Sequence, residues 1–133
     1  MANLVQVEAT ALLNASYGKV TYPAPTLPIM QRLLTAVGDA SSPGTEVANS
    51  GGSTYAAQNL STALGTGAAG AISNSAAALT YTNMPPVTVA GVAHWDSSGT
   101  PVRKWFGPLT TPKTTGQGDT LSFAQSTITA TMG

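Results

Sequence analysis

Residues 87–109, VTVAGVAHWDSSGTPVRKWFGPL, limit what this chain can fold into more than any other stretch. Val87, Val89, Gly91, Ala93 and Trp95 alternate with Thr88, Ala90, Val92 and His94, which is the two-residue period of a strand. The run ends in Asp96-Ser97-Ser98-Gly99. Asp suits the first position of a type I turn, and Gly takes the left-handed conformation that closes a bulged hairpin. A second strand is predicted over Pro101 to Phe106, stopped by Gly107-Pro108. Pro101 has no N–H to give and therefore belongs at a strand start or an edge. Both tryptophans, one of the two phenylalanines and the single histidine fall in this stretch. A lone hairpin is marginal in water, so the rest of the chain must cover it.

The cover has an unusual composition. Only 8% of the 133 residues are charged, against roughly 25% in an ordinary globular protein. Five basic residues balance five acidic ones, leaving a formal net charge of zero. A nucleic-acid binder needs a basic surface to replace the counterions around phosphate, so that class is disfavoured. Neutral surfaces also associate readily. The pattern suits a subunit whose surface is covered by neighbours; an ordinary secreted β-domain is the alternative. The absence of cysteine rules out disulfides and thiolate metal sites. The N-terminus lacks a basic region followed by a long apolar run, so no signal peptide is expected. No apolar run approaches the roughly 20 residues that span a bilayer.

Along the chain, Asn3 and Gln6 have the spacing of a capping box. Leu4, Val7 and Ala11, with Val5, Ala9 and Leu12, repeat at helical intervals before Gly18, which predicts an amphipathic helix from Leu4 to about Tyr17. An N-terminal strand or arm competes, because Val5 and Val7 also alternate. Tyr22 to Pro28 contains three prolines and must be extended. Ile29 to Val37 fits a strand or a short helix, and its proline lead-in and threonine favour the strand. Gly38 to Gly52 is a long loop, pinned midway by Glu46-Val47. Strands are predicted over Thr54 to Leu64 and Ala71 to Tyr81, with a glycine-rich turn between them and a break at Asn83-Met84-Pro85-Pro86. Thr110 to Asp119 reads as a polar loop, followed by two short strands at Thr120 to Phe123 and Ser126 to Met132, or one strand kinked near Ala124-Gln125. Short strands separated by turns imply a mainly β, single-domain antiparallel sandwich of jelly-roll type. Residues 1–20 form its N-terminal helix or arm and residues 21–133 the sandwich, with Val89, Leu121, Phe123 and Ile128 in the core.

Catalytic chemistry finds little footing. His94 and Asp96 fall on one strand face, but no Gly-x-Ser-x-Gly elbow accompanies them, and His94 reads as an exposed or interfacial structural residue. A glycosidase needs two carboxylates facing across a cleft. Of Glu8, Asp39, Glu46, Asp96 and Asp119, the three aspartates sit beside turn residues and read as turn formers. Gly65, Gly67 and Gly70 match the letters of a dinucleotide fingerprint without its strand–helix context or its acidic partner. No catalytic, cofactor-binding or metal-ligating residue is expected. Trp95, Trp105, Tyr55 and Tyr81 fit core or interface packing better than a sugar platform. Arg103-Lys104 beside Trp105-Phe106 is too little charge for nucleic acid.

Several short motifs occur in a fixed order: Ala24-Pro25-Thr26, Gly44-Thr45-Glu46-Val47, Gly51-Gly52-Ser53-Thr54-Tyr55-Ala56, Ser73-Asn74-Ser75-Ala76, His94-Trp95-Asp96, Trp105-Phe106-Gly107-Pro108-Leu109-Thr110 and Gly118-Asp119-Thr120-Leu121-Ser122-Phe123. With them the chain resembles small virion structural proteins of tailed bacteriophages, a group labelled tail fibre, capsid decoration or minor capsid proteins. The resemblance runs over nearly everything after Tyr22 and implies a non-enzymatic protein of the virion, made in the host bacterial cytoplasm. A compact β-domain without a shaft suits capsid decoration, with the major capsid protein and copies of itself as partners. The alternative is a minor tail or tail fibre component meeting tail proteins or a host-surface glycan. The neutral surface predicts a homo-oligomer, a trimer in the simplest case, held by apolar and backbone contacts. Leu4, Val7, Ala11, Glu46, Val47, Trp95 and Trp105 are the candidate partner contacts.

Overall fold

The computed structural model describes residues 3–132. Among these residues one helix, α1 (Gln6–Ser16), accompanies ten strands: β1 (Asn3–Leu4), β2 (Met30–Ala36), β3 (Thr45–Glu46), β4 (Gln58–Asn59), β5 (Ala71–Ser73), β6 (Leu79–Met84), β7 (Val87–Trp95), β8 (Arg103–Thr115), β9 (Asp119–Phe123) and β10 (Thr129–Thr131). The fold is mainly β and antiparallel in a single small domain, as the turn spacing predicts. A six-stranded sheet runs β1-β8-β7-β2-β3, with β4 pairing the other half of the same β2 edge. Two small sheets, β5–β10 and β6–β9, form the opposing layer.

The predicted hairpin is the spine of the large sheet. β7 pairs β8 on one side and β2 on the other, so both of its edges are hydrogen-bonded. One face carries Leu33, Val89 and Val92 into a core shared with Tyr81, Met84, Leu121 and Ile128 of the second layer. Burying each such large apolar side chain contributes on the order of 1.5–3 kcal/mol. The predicted core members Val89, Leu121 and Ile128 are buried, and Phe123 packs against them half-exposed. The other face carries a smaller cluster of Val5, Leu34, Ala93 and Phe106, with Val37 and Trp95 at its rim.

Strand alternation predicts Val87, Val89, Gly91, Ala93 and Trp95 on one face, but they divide between the two clusters. Val89 opposes Lys113 and Gly91 opposes Pro108, so Ala90 alone spans what Leu109 to Pro112 span on β8. This bulge reverses the phase of β7: Val89 and Val92 face the large core, Ala93 and Trp95 the small one. Gly91 is required at the crossing, because a Cβ there would stand 2.5 Å from the Gly107 carbonyl oxygen and 2.7 Å from Val37 Cγ2.

The second strand is also longer than predicted. It runs through Gly107-Pro108 to Thr115, and the expected loop over Thr110 to Asp119 shrinks to a turn around Gly118. Proline stops a strand only where its missing N–H is needed. Beyond Phe106, the edge of β8 away from β7 has no strand partner among the described residues, so Pro108 and Pro112 cost no ladder bond there.

Two further predicted strands are broken by side-chain bonding. Between Thr54 and Leu64 only Gln58–Asn59 is strand. Asn49 brackets Tyr55 through its side chain (Nδ2 to Tyr55 O, 2.8 Å; Tyr55 N to Oδ1, 2.6 Å), and the chain turns at Leu60 to Leu64. Such bonds offer the backbone an alternative to a ladder. Ala71 to Tyr81 is split at Asn74, whose side chain and main chain together make the contacts that end β5.

The N-terminus is arm and helix at once. Asn3 and Leu4 add an edge strand opposite Phe106 and Trp105. The cap position of α1 falls on Val5 with no side-chain cap bond, so Asn3 is not the cap. The helix buries Glu8 rather than an apolar stripe, and its first N–H groups are met by the chain around it, with Val5 N donating to Lys104 O and Gln6 N to Ala40 O.

Candidate functional site

The two layers part along the β8 side of the sandwich and leave a groove of about 450 Å³. Its floor is Val92, His94, Leu121, Phe123 and Ile128; its rim is Leu109 to Thr111 and Lys113 on one side and Ser122, Thr127 and Thr129 on the other. The groove exists because the bulge moves Leu109 to Pro112 away from the β7 ladder. A second cavity of about 190 Å³ lies beyond His94 and Ile128, which line both. Ile29, Leu60, Leu64, Ile72, Ala130 and Trp105 make it mostly apolar, and Glu8, Tyr22 and Lys104 form its polar side.

Lys104 Nζ lies 3.0 Å from Glu8 Oε2, and both side chains are almost wholly buried. The Tyr22 hydroxyl donates to the other Glu8 oxygen. Burial and the Glu8 carboxylate push the Tyr22 phenol well above its ordinary range, so it stays a donor. This pair ties α1 to β8 and to the proline-rich segment. No sequence signal marked it, because Glu8 and Lys104 are 96 positions apart.

His94 is buried, and its Nε2 lies 3.0 Å from Gln31 Oε1 on the neighbouring strand. Burial pushes its pKa down to about 4, so it is neutral at pH 7. The sequence places His94 at an exposed or interfacial position; the phase reversal in β7 turns it inward instead. Asp96, two residues on, is bonded to its own turn instead (Val102 N, 2.8 Å; Ser98 Oγ, 3.0 Å). Burial pushes its carboxyl up, but these bonds outweigh it and hold it below the ordinary range. Asp39 accepts from Ser41 N and Ser42 N, and Asp119 from Gly116 N, so all three aspartates build turns as predicted. No group of three His, Cys, Asp or Glu residues stands in metal-binding proximity among the described residues.

The candidate contact residues do not form one surface. Leu4 and Ala11 are half-buried, Val7 is 69% exposed on α1, and Val47 is buried in the large core. Glu46 and Trp95 are brought together through Arg32, whose guanidinium lies 4.4 Å over the Trp95 ring and 3.6 Å from Glu46. Glu46 also accepts from the Tyr55 hydroxyl at 3.0 Å, while that hydroxyl accepts from Leu33 N. Trp105 lies apart from them, half-buried in the wall of the smaller cavity. Tyr55 and Tyr81 stack in the core and present no sugar platform.

The described residues thus form an antiparallel sandwich with its aspartates in turns and its histidine buried and neutral. The family model described as Podophage GP4 fiber I protein gp80 matches residues 3–131. The chain belongs to that family and is a structural protein of the phage virion. A search of curated proteins found no match. No helix among the described residues is long and apolar enough to cross a membrane.

Proposed function

We propose that the chain is a non-enzymatic subunit of the phage tail fibre assembly, joined to copies of itself and to a tail protein through neutral surfaces. The match of nearly the whole chain to a fibre protein family carries this reading. The zero net charge supports the nature of the contacts, because few charges are available to make them. Capsid decoration, with the major capsid protein as partner, is the second reading; the compact β-domain formed by the described residues favours it. Copy number separates the two. Quantitative mass spectrometry of separated heads and tails should find the protein with tails in small copy number, whereas hundreds of copies on heads would overturn the fibre reading. Rebinding to stripped particles should change little across a salt series, because screening acts on charges and hardly on apolar burial.

A further inference from the structure

We propose that the smaller cavity is a socket for Tyr17 of a second copy, so that each subunit offers one ring and receives another. The inference rests on the self-association reading above and names its contact.

Five of the seven large apolar side chains most exposed among the described residues lie between residues 7 and 27, grouped on the N-terminal arm. Tyr17 is the most exposed of them at 77%, with Leu13 at 61% and Val20 at 62% beside it in the chain. A helix presents residues four apart on one side, so Leu13 and Tyr17 project together. That side carries no charge: Gln6, Thr10 and Asn14 complete it.

The socket matches this ring in size and chemistry. Its volume of about 190 Å³ exceeds the roughly 150 Å³ of an apolar cavity that stays dry and takes up benzene. Leu64, Ile72, Ile128 and Trp105 supply apolar walls for a ring body. Lys104 on the polar side of the socket spends one of its ammonium protons on Glu8 and has two more to offer a phenol oxygen. Because Glu8 and Lys104 neutralise one another, an uncharged ring meets no unpaired charge on entry.

Tyr17 cannot fill the socket of its own chain. Glu8 lines the cavity from the inner side of α1, and Tyr17 is nine residues further on. At about 100° per residue, nine residues end on the opposite side of the helix. The ring must come from another molecule. Ring and socket are different patches, so the contact is head-to-tail and closes into a ring or continues as a filament.

The test uses the full chain in analytical ultracentrifugation over a concentration series. Tyr17→Ser removes the ring at an exposed site, and Ala130→Phe fills the socket; Leu64→Phe fills it from another wall should Ala130→Phe fail to fold. The wild type should self-associate, and each variant should lose at least tenfold in association constant with an unchanged circular-dichroism spectrum. An equimolar mixture of the ring-less and socket-filled variants should form dimers and stop there, because one intact ring meets one intact socket. Variants that associate like the wild type would overturn the socket and leave self-association standing. A wild type that remains monomeric at every concentration would overturn both.

Discussion

Replacing Asn74 by alanine should destabilise the fold by about 3–5 kcal/mol, although the residue is small and takes no part in either cavity. The side chain is fully buried and makes three bonds: Nδ2 donates to Ala77 O at 3.0 Å and Ala124 O at 2.9 Å, and Oδ1 accepts from Ile128 N at 2.8 Å. Each bond contributes about 1 kcal/mol net, and a buried group left without a partner costs about 1–3 kcal/mol. The three losses differ. Ala124 O keeps the Thr127 hydroxyl at 2.6 Å, and Ala77 is exposed to water. Ile128 N belongs to a buried residue and is orphaned, so it carries the largest share. Thr127→Ala is the control, because it removes only the exposed half of the Ala124 interaction, and it should cost under about 1 kcal/mol. Urea unfolding followed by tryptophan fluorescence reads both as shifts in midpoint at constant slope. An Asn74→Ala cost below about 1 kcal/mol, or one equal to Thr127→Ala, would refute the assignment of Asn74 as the residue joining β5 to the β9–β10 segment.

Acidification should weaken the fold before any aspartate titrates. The His94 pKa lies at about 4 in the fold against about 6.5 in the unfolded chain, so below pH 6.5 the unfolded state takes up a proton that the fold refuses. Stability is therefore unaffected above 6.5 and falls between 6.5 and 4, by at most about 3 kcal/mol; His94→Gln should flatten that part of a urea midpoint-against-pH curve, and an unchanged slope would count against a buried neutral imidazole. Lys104→Met should cost about 3 kcal/mol by stranding the buried Glu8 carboxylate. Adding Glu8→Gln should recover most of that loss, and strictly additive losses in the unfolding cycle would show the pair to be uncoupled. Gly91→Ala should destabilise by at least 2 kcal/mol because its methyl collides with the Gly107 carbonyl; a neutral result in the same assay would mean that the bulge yields easily.

Local chemistry made much of this protein legible from its sequence. The existence of β7 as a strand, the turn roles of Asp39, Asp96 and Asp119, the strand after the prolines and the Glu46-Val47 pin all depend on a few neighbouring residues. What was misread depends on partners far along the chain. Gly107-Pro108 looks like a stop because proline withholds a donor, yet only the absence of a neighbouring strand decides that none is needed. The phase of β7 reverses at a bulge whose extra residues lie on the other strand, so no periodicity within β7 reveals it. That reversal turns His94 inward and aligns it with Gln31. The cavities too are built from residues far apart in the chain. His94 and Ile128 line both, while Glu8 lines the smaller one from a helix, 96 positions before Lys104. Sequence by itself determined a neutral, cysteine-free antiparallel β-protein with its aspartates in turns, because composition and turn chemistry are local. Only the tertiary structure decided which side chains face each other across the layers, because burial and ion pairing are properties of residues brought together in space.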